Sequence, residues 1–112
     1  MMKIYGIKTC GSVKKALKFM NDNSIGYEFI DFKKEPVDEA KIKEWLQHVS
    51  LDILLNTKGT KYKTLKLKEL NLSDAQKIEW MAKENLIIKR PVIEYKNSVI
   101  VGFDEARYKE LF

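Results

Sequence analysis

The 112-residue chain is poor in the side chains on which several kinds of chemistry depend. It holds one cysteine, Cys10, one histidine, His48, and two arginines, Arg90 and Arg107. One thiol cannot form an internal disulfide. One histidine with no cysteine or second histidine near it in sequence cannot build a site that needs several ligands, so no metal is expected and His48 reads as an exposed helix residue. Long apolar runs are missing too. No segment approaches the ~18 apolar residues that a membrane span requires, and no secretory apolar region follows "MMKIYG". The five glycines, at positions 6, 11, 26, 59 and 102, are scattered at the ends of expected elements and make no phosphate-binding loop. A lone thiol without an export signal fits a reducing compartment, and the cytoplasm is the expected location.

What is present is an ordinary globular composition, 45% hydrophobic and 33% charged. A chain of this length makes one domain, residues 1–112, and buries roughly 60–70% of its unfolded surface without staples. The net charge of +5 comes from lysine, which supplies all but two of the 21 basic residues. Most are dispersed. The one concentration is "TKGTKYKTLKLKEL", where Lys58, Lys61, Lys63, Lys66 and Lys68 interleave with Tyr62, Leu65 and Leu67. It reads as a lysine-coated helix or loop with its apolar residues turned inward, and nucleic acid is not expected as a partner.

The order of elements follows from periodicity. Residues 3–7 form an apolar strand. Val13, Ala16, Leu17 and Met20 then share the face of a helix over 11–23, and residues 27–32, between Gly26 and Pro36, form a second strand. Strand, helix, strand implies a parallel pair. Asp38 can cap a helix whose face carries Ile42, Trp45, Leu46 and Val49, with Trp45 and Trp80 at the core or its edge. Residues 51–55 add an apolar turn that ends before Gly59. Ser73 and Gln76 have the form of a capping box ahead of Ala75, Ile78, Met81 and Ala82. Residues 91–95 and 98–101, joined by Lys96-Asn97, read as an antiparallel hairpin, and Asp104 opens a last helix. The pattern is an α/β domain with a four-stranded mixed sheet and a helical insert, about residues 38–85, between the second and third strands. A cysteine at the first strand-to-helix junction and a proline opening the third strand are landmarks of a thioredoxin-like, glutaredoxin-type fold.

"YGIKTC", "LLNTKGT", "IIKRPVI" and "VGFDEARYKELF" together resemble the arsenate reductase and Spx family over essentially the whole chain, most closely its small single-cysteine, thiol-dependent members. The resemblance implies an enzyme with Cys10 as nucleophile. Independently, a thiol at a helix mouth meets the free N–H groups of Ser12 and Val13 and the positive end of the helix dipole, worth about 0.3–2 kcal/mol, and Lys8 and Lys14 stand close in sequence. A lowered thiol pKa is expected. Val13 stands where two-cysteine relatives carry their second thiol, so oxidised Cys10 would be resolved by an external reductant, glutathione, glutaredoxin or thioredoxin, with no bound cofactor.

The resemblance also implies a site. Arg90 and Pro91 match the family's "RP" motif, with the proline cis and the backbone before it meeting a bound thiol substrate. Arg90, Lys58 and Lys8 would hold a small anionic substrate or the glutathione carboxylates, and Gly11 and Ser12 would border the thiol. Lys58 stands where close relatives carry arginine, and "VGFDE" lacks a further arginine of arsenate reductases, so the oxyanion cradle looks incomplete. Two alternatives accompany this reading: an Spx-like regulator that binds RNA polymerase, and an arsenate reductase proper.

Overall fold

The computed structural model describes residues 1–112. The chain resolves into two compact units, one made of residues 1–34 and 90–112, the other of residues 35–89.

The first unit is built on a four-stranded sheet. β1 (Met2–Gly6) and β2 (Tyr27–Asp31) run parallel, joined by helix α1 (Gly11–Asp22), while β3 (Val92–Tyr95) and β4 (Ser98–Val101) form a hairpin. β3 lies antiparallel to β1, giving the order β2-β1-β3-β4. This mixed sheet with its βαβ start and ββα finish is the thioredoxin-like fold of glutaredoxin type. A row of apolar residues crosses all four strands in register, Phe29 beside Ile4, Ile4 beside Ile93 and Ile93 beside Ile100. Ala16 and Met20 of α1 and Tyr108 of the last helix, α6 (Glu105–Leu111), pack into the same cluster. The hairpin turn takes both Lys96 (φ 47°) and Asn97 (φ 60°) into the left-handed region, the geometry that matches the strands' own twist in a two-residue loop.

Tyr108 ties α6 to the sheet. Its hydroxyl donates to the Gly102 carbonyl at 2.6 Å, and its ring makes edge-on contacts with Phe19, Phe103 and Phe112. Burial pushes the phenol pKa well up.

The second unit is helical: α2 (Glu39–Trp45), α3 (Leu51–Leu54), α4 (Thr60–Thr64) and α5 (Asp74–Lys83), with single 3₁₀ turns at Leu67–Leu70 and Asn85–Ile87. Asp38 and Ser50 accept N–H bonds from Lys41 and Ile53 as helix caps, and Ser73 with Gln76 closes a full capping box. Trp45, Ile42, Leu54 and Met81 are fully buried. Asn85 is the buried polar hub: its amide oxygen accepts from Val37 N–H at 2.8 Å and its Nδ2 donates to the carbonyls of Val37 and Met81 at 3.1 and 2.8 Å.

Several boundaries differ from the sequence expectation. α2 stops at Trp45 instead of running to Val49, and His48 lies exposed in the following turn, because Ser50 caps a separate helix. Ala75 is exposed; it falls in the first turn of α5, off the face that buries Met81. The strands end one residue early, at Gly6 and Asp31.

Candidate active site

Two segments flank the sheet at the same end. β1 finishes at Gly6 and passes through residues 7–10 into α1; β3 begins at Val92, the register partner of Tyr5, directly after Arg90 and Pro91. The antiparallel pairing of β1 and β3 therefore carries Cys10 and Arg90, eighty positions apart, to one place.

Cys10 is the N-cap of α1, with extended backbone (φ −75°, ψ 128°), and it is half-buried. Its carbonyl accepts the Lys14 N–H at 3.0 Å, and its own N–H donates to Ile7 at 3.3 Å. The thiol is set up to ionise. Burial pushes its pKa up, but the Val13 N–H, a hydrogen bond from the Arg90 side chain, the Ser12 N–H and the Arg90 charge together outweigh burial and hold the thiol below its ordinary value. No acidic side chain occupies the first turn of α1 to oppose this. The charge acting on the sulfur is thus that of Arg90, where adjacency in sequence points to Lys8 and Lys14.

The close fit beneath the thiol comes from Gly6. A Cβ at this position would stand 2.6 Å from Val13 Cγ2, so only glycine lets the first turn of α1 sit this near the strand. Val13 is fully buried there while its backbone N–H faces the sulfur. Sequence reading treats Gly6 as one more glycine at an element end. The signal that could have marked it is its place, the last residue of the strand that delivers the nucleophile.

On the other side, the Arg90–Pro91 bond is cis. The Pro91 carbonyl accepts the Gly102 N–H at 2.8 Å, and Gly102 holds φ at 84°, a conformation that glycine adopts freely. Arg90 is half-buried and Pro91 buried. Gly11 is exposed at the start of α1, and a Cβ there would meet nothing within 4 Å, which leaves the approach to the thiol open.

The structure therefore brings together Cys10, the amides of Ser12 and Val13, Arg90 and Pro91. Lys8 is exposed in the loop before Cys10. Lys58 is exposed in the turn before α4 and belongs to the second unit. A surface groove between α1 and α6, floored by Phe19 and Phe103, includes none of the candidate site residues. No group of three or more histidine, cysteine, aspartate or glutamate side chains is placed to hold a metal ion, and no helix is long and apolar enough to cross a membrane.

A partly buried thiol whose pKa is lowered by two helix amides and a guanidinium can, as its thiolate, attack sulfur or another electrophile. A protein of Haemophilus influenzae is 30% identical over 113 residues, covering 100% of this chain and 99% of its own. The global transcriptional regulator Spx of Listeria innocua is 25% identical over 107 residues, 94% of this chain and 82% of the regulator. Among solved structures, the YffB protein matches with a TM-score of 0.91 at 31% identity, over 98% of this chain and 97% of that one. An arsenate reductase related protein from Brucella melitensis matches at 36% identity with a TM-score of 0.78, over 97% and 92%. The ArsC family profile matches residues 5–111, nearly the full length, and the chain belongs to the ArsC family.

Proposed function

We propose that this ArsC-family protein is a thiol-dependent oxidoreductase in which Cys10 is the single nucleophile and an external thiol, glutathione, glutaredoxin or thioredoxin, resolves it. The observation that carries this reading is the thiol itself, half-buried at the N-terminus of α1 with its pKa lowered by Val13, Arg90 and Ser12 against the cost of burial. With glutathione disulfide, the Cys10 thiolate attacks one sulfur, a new S–S bond joins Cys10 to one glutathionyl group, and the other glutathione leaves as thiolate. A second thiolate then attacks the glutathionyl sulfur, forms a disulfide with it and releases Cys10. Arg90 would meet a carboxylate of the ligand, the backbone before Pro91 would lie along it, and Lys8 would supply further positive charge. The open space over Gly11 admits a bulky disulfide.

Incubation with glutathione disulfide tests the reading by intact mass. The expected product is one glutathionyl adduct on Cys10, removed by added thiol and absent in Cys10→Ser. An unmodified wild-type protein under conditions that modify free cysteine would overturn it.

A second reading rests on the Spx relative, which aligns with 94% of this chain: a regulator that binds RNA polymerase. It predicts polymerase retention that is indifferent to Cys10→Ser. The third, arsenate reductase, draws on the related Brucella structure, but lysine at position 58 is a point charge in place of an arginine fork, and the sequence after Gly102, Phe103-Asp104-Glu105, supplies no cation to grip an oxyanion. Slow or undetectable arsenate turnover is expected.

A further inference from the structure

Residues 58–69 hold five lysines and one glutamate, a local excess of four positive charges in a chain whose whole formal charge is +5. Outside this stretch the two signs nearly cancel. The fold displays the charge rather than hiding it. Tyr62 and Leu67 are buried, while Lys58, Lys63, Lys66 and Lys68 are exposed and Lys61 is half-buried. The backbone that carries them is ordered by its own hydrogen bonds. Lys66 N–H donates to Lys63 O at 3.0 Å, Glu69 N–H donates to Lys66 O at 3.2 Å, and Lys66 turns the chain at φ 56°. The surface ion pairs Lys18–Asp22, Lys41–Glu44 and Lys109–Glu105 lie on other elements. Like charges this close repel, so the cluster does not serve the stability of the fold.

We propose that residues 58–70 form a docking surface for an acidic protein segment that carries an apolar side chain. The chemistry of the cluster selects protein over nucleic acid. It has no arginine to fork onto phosphates or base edges, and its one aromatic ring, Tyr62, is turned inward and offers no face for stacking a base. Leu70, two residues after the last lysine, is 54% exposed, an apolar anchor of the kind that protein interfaces bury inside a polar rim. Flexible ammonium groups and one exposed leucine on the same short stretch suit carboxylates beside one apolar residue, with the charges steering encounter. The proposal does not depend on the chemistry of Cys10.

The probe is a synthetic peptide of about eight glutamates flanking one leucine, titrated into isotope-labelled protein while backbone amide shifts are followed. Shifts should cluster on residues 58–70, and binding should weaken steeply with salt. Replacing Lys61, Lys63, Lys66 and Lys68 by glutamine should lower affinity about tenfold or more, whereas the same change at Lys3, Lys14, Lys34 and Lys96, which leaves the same net charge, should alter it by less than about twofold. Leu70→Ser should weaken binding without changing its salt dependence. Shifts scattered over the whole surface, equal losses in the two lysine variants, or tighter binding of a duplex DNA oligonucleotide at the same salt would each overturn the proposal.

Discussion

Replacing Arg90 by methionine removes the charge and hydrogen bond at Cys10 while keeping an apolar stem of similar reach. A hydrogen bond to a charged group contributes about 1.5–3 kcal/mol when well shielded, and the half-exposed thiol warrants a discount to roughly 1 kcal/mol. At a pH below the thiol pKa that alone would reduce the thiolate fraction about fivefold. The more basic thiolate is also the better nucleophile, with a Brønsted slope of about 0.4–0.5, so the rate does not fall by the full factor. Exchange with an uncharged disulfide should run about two- to threefold slower at low pH and about twofold faster once both proteins are fully ionised. The two rate–pH profiles should cross. With glutathione disulfide, whose carboxylates Arg90 would also meet, an additional loss at every pH should lower the whole variant curve. The assay is stopped-flow exchange from pH 5 to 10 on both substrates. Parallel profiles with the uncharged disulfide would refute the claim that Arg90 acts on the sulfur.

Two further outcomes test the frame around the site. Gly6→Ala should destabilise the fold by about 1–3 kcal/mol, because its Cβ would fall 2.6 Å from Val13 Cγ2; urea unfolding should show much of that loss relieved when Val13→Ala is added, a non-additivity that two independent sites would not give. Tyr108→Phe should cost about 1–3 kcal/mol at neutral pH by stranding the Gly102 carbonyl. Since the folded protein holds the Tyr108 proton more tightly than the unfolded chain, that stabilisation is complete below the ordinary tyrosine pKa of about 10 and is lost as pH rises above it. Thermal melts of the two proteins should therefore converge at alkaline pH, and a gap that stays constant would count against the buried phenol.

Much of the fold is legible in the sequence because its signals are local. Val13, Ala16 and Met20 at helical spacing mark α1, and the Ser73–Gln76 box marks the start of α5. Lys96-Asn97 marks a turn because asparagine tolerates a left-handed backbone. The helices that end early are harder to read: the apolar spacing of "WLQHVSLD" does not say whether the face of α2 continues, and the answer lies in Ser50 capping the next helix. Cys10 is legible for the same local reason as the caps. Arg90 is not, except by resemblance, since only the β1–β3 pairing carries it to the thiol; sequence adjacency favours Lys8 and Lys14 instead.

Position 13 shows why the site resists reading one residue at a time. Its side chain and its backbone face opposite demands. The valine methyls must fill the space under Gly6, in a fully buried setting where a shape change is costly, while the amide of the same residue must point out to the sulfur of Cys10. Packing fixes where the helix begins, and the start of the helix fixes where its free N–H groups point. The electrostatics of the thiol therefore rest on an apolar contact made on the far side of the same residue. A two-cysteine design would load a third task onto this position, since the resolving thiol would have to leave that buried contact to reach Cys10. With valine there, the second sulfur has to arrive from another molecule, which is consistent with the open approach over Gly11 and with a nucleophile left half-exposed at the end of the sheet.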